Sequence, residues 1–133
     1  MKREQLTSML DMVKEFNEAF KIPYDKQFCG TIFDNDHLDG ELRHNLMQEE
    51  NDEYFQAIEN NDMLEVADAC GDMLYILMGT ILRHGLQNKI FDIFTEIHRS
   101  NMTKLVDGKV LRREDGKIIK GENYEAPNIS KYL

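Results

Sequence analysis

An all-α fold is predicted for this chain by three features: apolar residues recur at helical spacing over most of residues 3–104, capping signals mark helix ends, and Gly/Pro-rich segments fall between the periodic stretches. The 133 residues are expected to make one domain over 1–133, a helical bundle at 1–104 and an ordered tail at 105–133. A domain of this size gains from pairing with a second copy, so the expectation is a four-to-five-helix bundle completed by dimerisation, ending in a C-terminal loop or short hairpin tail.

Leu6, Met9, Leu10, Val13, Phe16 and Phe20 fall on one face of residues 3–20, predicting a first amphipathic helix. Residues 21–40 carry Pro23, two glycines and an Asp/Asn cluster and read as a loop, long enough to suggest work of its own. Asp39 is expected to cap a second helix from about Glu41 to Glu59, and "ENND" at 59–62 to turn the chain. Asp62 followed three positions later by Glu65 has the form of a capping box, opening a third helix that stops at Gly85. Residues 86–104 predict a shorter fourth helix with Ile90, Ile93, Phe94 and Ile97 on one side. From Leu105 onward two Asp-Gly pairs and short Val/Ile/Leu segments suggest a hairpin or ordered loop.

The net charge of −9 argues against a nucleic-acid polymer or an anionic membrane as partner. The longest apolar run, at 73–82, is far too short to cross a bilayer, and the N-terminus lacks an apolar core of signal-peptide length, so a cytoplasmic protein is expected. Two cysteines 41 positions apart suggest neither a disulfide framework nor a zinc knuckle.

The informative stretch is "EENDEYFQAIENNDMLEVADACGD", residues 49–72. At 100° per residue, Glu53 lies about 40° from Glu49, on the same side as Leu42 and Leu46. Around Asp72, Glu65 and Asp68 fall within about 40°, alongside Ile76 and Gly79. Most acidic runs on helices are solvated faces, but these acids continue the apolar stripes. Clustered carboxylates in a bundle interior repel one another unless a cation joins them. Oxygen ligands without a Glu-x-x-His pair point to Mg²⁺, with Mn²⁺ as a substitute, and away from a di-iron centre. The candidate metal ligands are Glu50, Glu53, Glu65, Asp68 and Asp72. Glu65 has the competing reading of capping-box partner to Asp62, and Glu49 stands beside the Glu50/Glu53 pair.

"EENDE" followed by "EVAD" and "GDMLYIL" resembles the E-E-x-x-E and E-x-x-D signature of the MazG-like, all-α nucleoside triphosphate pyrophosphohydrolases, which include phosphoribosyl-ATP pyrophosphohydrolases and dimeric dUTPases. The segment "HRSNMTKLVDGKVLRREDGKIIKGENYEAPNI" is also similar to a bacterial and phage branch of that superfamily, so that the matched parts span roughly residues 40–128. The resemblance implies a homodimer or dimer of dimers that holds Mg²⁺ between helices and hydrolyses a nucleoside triphosphate to the monophosphate and pyrophosphate, with nucleotide-pool cleaning as the expected role. Phosphoribosyl-ATP hydrolysis and a non-catalytic nucleotide- or metal-binding regulatory dimer are the alternatives. In one register Glu65 and Asp68 complete the motif; in the other the acids fall at 69 and 72, where this chain has Ala69 and Asp72. Glu49 and Glu50 are the candidates for orienting or deprotonating the attacking water.

A triphosphate needs cations and amide donors. The candidates are Asn101, Lys104, Arg112 and Lys120, drawn from a late basic set that also holds Arg99, Arg113 and Lys117. Tyr75 is the candidate for stacking on a base, against a competing core role.

Overall fold

The computed structural model describes residues 1–25, 28 and 36–133. They form α1 (Arg3–Ala19), α2 (Asp36–Glu59), α3 (Met63–Arg83), α4 (Ile90–Met102) and a 3-10 turn at Ile129–Tyr132. No strand occurs among the described residues, so the chain is all-α. Two compact units divide it, Met1–Asn88 and Lys89–Leu133.

In the first unit α1 and α2 both pack on α3. Leu6, Leu10 and Val13, spaced i, i+4 and i+7, are the buried stripe of α1, and Met78, Ile81 and Leu82 are buried on α3, the helix it packs on. Ala57 and Ala69 are the buried residues where α2 and α3 approach, small side chains that allow a close seam.

Three helices in this unit end the same way. Lys21, Asn61 and Gly85 each take positive φ, and the amide of the next residue reaches back to the carbonyl five positions earlier: Ile22 to Asn17 at 2.8 Å, Asp62 to Ala57 at 2.9 Å and Leu86 to Ile81 at 2.9 Å. These are Schellman closures, which satisfy carbonyls the helix leaves open. Gly85 was expected there from the sequence.

The helix starts differ from expectation. α2 begins at Asp36, so Asp39 lies within the helix and is not its cap; its Oδ2 accepts from Arg83 Nε at 2.6 Å. The supposed loop at 21–40 therefore ends earlier than predicted, and residues 26, 27 and 29–35 of it lie outside the described set. Only half of the capping box forms: Asp62 Oδ1 accepts from the Glu65 amide, but Asp62's own amide is already bound to Ala57, leaving the Glu65 carboxylate nothing to complete. α4 starts at Ile90, because the closure after Gly85 leads into a turn before the helix can resume.

The second unit is built on α4, against which the 3-10 turn packs. The tail forms two tight reversals, bridged at Val106/Lys109 and Arg112/Ile118. Asp107 and Gly108 both have positive φ, as a type I′ turn requires, and Gly116 does the same in the second reversal. Gly121 admits no larger residue, since a Cβ there would collide with Val106 Cγ2.

Candidate active site on the second and third helices

α2 and α3 fold back on each other about Asn61, which brings Glu50 and Asp72, each eleven residues from that turn, to the same level of the seam. Glu50 is half-buried, and its Oε2 is fully buried with no hydrogen-bond partner. Burial pushes the Glu50 carboxyl above the ordinary carboxylate range, and Glu53, Asp72 and Asp68 push it further, Glu53 also through a carboxyl–carboxyl contact. Glu53, Asp68 and Asp72 are themselves exposed.

Three of the predicted ligands thus act on a fourth, Glu50. The described residues contain no group of three or more His, Cys, Asp or Glu side chains already drawn into a metal-holding arrangement. The orphaned Glu50 oxygen nevertheless fits a cation, and a set made only of carboxylates suits a hard divalent ion such as Mg²⁺ or Mn²⁺.

Glu49 and Glu65 are exposed and are not among the groups that perturb Glu50. Ala69 is 2 % exposed, packed into the helix seam, so an acid at that position would enter the interior instead of the cluster. The acids that reach Glu50 from α3 are Asp68 and Asp72, at i and i+4.

A further side chain on this seam carries no signature in the motif. Arg43 lies seven residues before Glu50, nearly the same helix face, and reaches across to α3, donating to the Ile76 carbonyl at 2.6 Å and to Thr80 Oγ1 at 3.0 Å. The helical arithmetic that placed Gly79 in line with Asp72 places Arg43 in line with Glu50, and was the available signal.

Tyr75 packs edge-on against Phe16, 5.6 Å between centroids, beside an apolar groove of about 180 Å³ lined by Met9, Met12, Leu74 and Met78. The other predicted substrate contacts lie in the second unit. Asn101 is exposed and Lys104 half-buried. Arg112 Nη1 donates to the Gly116 carbonyl at 2.8 Å, closing a turn, and Lys120 Nζ sits 4.7 Å from the centre of the Tyr124 ring. Arg99, from the wider basic set, forks onto Glu96 with two bonds of 2.9 Å and adds Glu125 at 3.0 Å.

Helices packed on one another, with no strand among the described residues, define an all-α protein. The family is specific: residues 13–101 match the one described as Phosphoribosyl-ATP pyrophosphohydrolase, and the chain belongs to that family, within the MazG-like all-α superfamily. The chain is also 40% identical over 67 residues to the uncharacterized protein L479 of Acanthamoeba polyphaga mimivirus, a match covering 50% of this chain and 27% of that protein. The chain thus spans little more than a quarter of the length of this relative.

Proposed function

We propose that this protein hydrolyses a nucleoside triphosphate to the monophosphate and pyrophosphate with Mg²⁺ held by Glu50, Glu53, Asp68 and Asp72, Mn²⁺ serving as a substitute. The observation that carries this reading is the buried, unpartnered Glu50 oxygen among three further acids, a conflict that a divalent cation resolves. When bound, the ion supplies charge neutralisation to the phosphate oxygens. Glu49 or Glu50 is the candidate to orient the attacking water or accept its proton. Attack at the α-phosphorus breaks the α–β anhydride bond and releases pyrophosphate. Glu65, Asn101, Lys104, Arg112, Lys120 and Tyr75 remain candidate ligand or substrate contacts in this scheme.

The family match favours a second substrate, phosphoribosyl-ATP, which carries the same anhydride. A pyrophosphate-release screen over (d)NTPs, modified nucleotides and phosphoribosyl-ATP, with Mg²⁺ and with Mn²⁺, tests both. Turnover of phosphoribosyl-ATP alone would transfer the assignment to it, and release from no member of the panel would sink the enzymatic reading.

We also propose that the active form is at least a homodimer. Met63 and Leu64 are 76% and 77% exposed, close in sequence to exposed Phe55 and Ile58, and Leu74 and Leu77 are exposed farther along α3. Apolar side chains in this number are the kind a partner surface covers. Leu64→Glu is expected to halve the mass measured by light scattering; an unchanged mass would remove this face from the interface.

A further inference from the structure

A groove of about 210 Å³ opens between the end of α1 and the seam of α2 and α3, its lining including Lys21, Pro23, Leu42, Arg43, Gly79 and Arg83. Three cations and one carboxylate, Asp39, line it in a chain of net charge −9. Arg83 is occupied by carboxylates, with Nε on Asp39 at 2.6 Å and Nη1 on Asp25 at 2.8 Å. Arg43 differs. Its Nε and Nη2 donate to a hydroxyl and a carbonyl, both neutral, and it forms no ion pair among the described residues. Burial lowers its pKa and Asp39 offsets this only in part, so the half-buried guanidinium stands as an under-compensated positive charge. Gly79 makes its place possible, since a Cβ there would lie 2.6 Å from Arg43 Nη2.

Lys21 has φ +57, a backbone region that glycine adopts with less strain. A lysine is nonetheless present there, at the groove lining. The groove lies on the same helix faces as the carboxylates. Arg43 precedes Glu50 by seven residues, about 10 Å along the same face of α2, and Gly79 follows Asp72 by seven on α3.

We propose that this groove is an anion subsite that takes the terminal phosphates of the substrate, with Arg43 and Lys21 holding the pyrophosphate end while the carboxylate cluster addresses the anhydride being cleaved. The inference rests on the pyrophosphohydrolase reading and deepens it. A guanidinium with donors to spare suits phosphate oxygens, and it would counter the charge that develops on departing pyrophosphate.

The test is calorimetric titration of the full chain with inorganic pyrophosphate in the presence of Mg²⁺, on the natural sequence, Lys21→Gly and Arg43→Lys. Lys21→Gly is chosen because it relieves the left-handed strain: melting temperature should rise while pyrophosphate binding weakens several-fold, a combination that damage to the fold does not produce. Arg43→Lys, which loses the planar fork, should weaken binding by about tenfold or more. The inhibition of turnover by added pyrophosphate should weaken in parallel. Equal pyrophosphate affinity in all three proteins, or none in the natural one, overturns the subsite. If pyrophosphate binds and both variants weaken it while no nucleotide is hydrolysed, the subsite stands and the enzymatic reading falls. If hydrolysis occurs with unchanged pyrophosphate inhibition in both variants, the enzymatic reading stands and the subsite falls.

Discussion

Two glutamates, Glu50 in the first unit and Glu96 in the second, are withdrawn from water by their helices, with opposite consequences. Glu96 is 4% exposed and fully engaged: Arg99 forks onto both oxygens, and the Asn128 amide donates to Oε1 at 2.8 Å. The hydrogen bonds from Arg99 and Asn128 outweigh burial and hold its carboxyl down at about 2. Glu50 has acids for neighbours, an oxygen with no partner, and a carboxyl pushed up. A carboxylate buried beside its own cation ties a fold together. One buried among other carboxylates is poised to take a cation from solution.

The sharpest way to break this comparison is to neutralise each acid. Glu50→Gln is expected to lower pyrophosphate release by roughly 100-fold or more, since even outer-shell partners of a metal site cost about 10–100-fold. The same substitution should raise the melting temperature of the metal-free protein, because it removes like-charge repulsion. A fall in both would mean that Glu50 is a structural residue of the Glu96 kind.

Next in size is the effect of the ion itself. Mg²⁺ at about 100 times its dissociation constant should stabilise the protein by about 2.7 kcal/mol. Glu96→Gln, by contrast, should leave this increment intact and loosen the tail, seen as faster hydrogen exchange at Asn128. An Mg²⁺ response that depended on Glu96 would erase the distinction between the two regions.

The smallest effect is in pH dependence. The fold lowers the Glu96 pKa from 4.5 to about 2, so its contribution is present above about 4.5 and is lost as pH falls toward 2. The fold raises the Glu50 pKa, so its contribution is complete below 4.5 and is lost as pH rises through the raised value. Melting curves across pH should therefore flatten below about 4.5 in Glu96→Gln and above about 4.5 in metal-free Glu50→Gln. The reverse assignment would contradict the environments of both groups.

Much of the first unit was legible because local chemistry and tertiary packing agree there. Gly85 ends α3 where only a residue tolerant of positive φ closes the helix, and the Leu6/Leu10/Val13 stripe is buried as its spacing demands. The placement of Glu50, Glu53, Asp68 and Asp72 near one another followed from two helical stripes joined by a short turn. What was not legible depended on long-range partners. Asp39 has the chemistry of a cap but serves a salt bridge to a residue 44 positions away. Leu42, predicted to continue the inner stripe, is 53% exposed at the groove. Arg99, one of the late basic set, is spent on Glu96, three positions before it on α4, and on Glu125, 26 positions away. Glu65 and Asp62 make a capping box on paper, and the Schellman closure before them takes the amide the box needs.

The central claim is that Glu50, buried beside the other α2–α3 carboxylates, is unsatisfied until a divalent cation joins them. Thermal melting at neutral pH, with and without Mg²⁺, on the natural protein and on Glu50→Gln tests it most directly. The account predicts a clear Mg²⁺-dependent rise in the natural protein that is largely absent from the variant, whose metal-free melting temperature starts higher. No rise in the natural protein, or an equal rise in both, would contradict it.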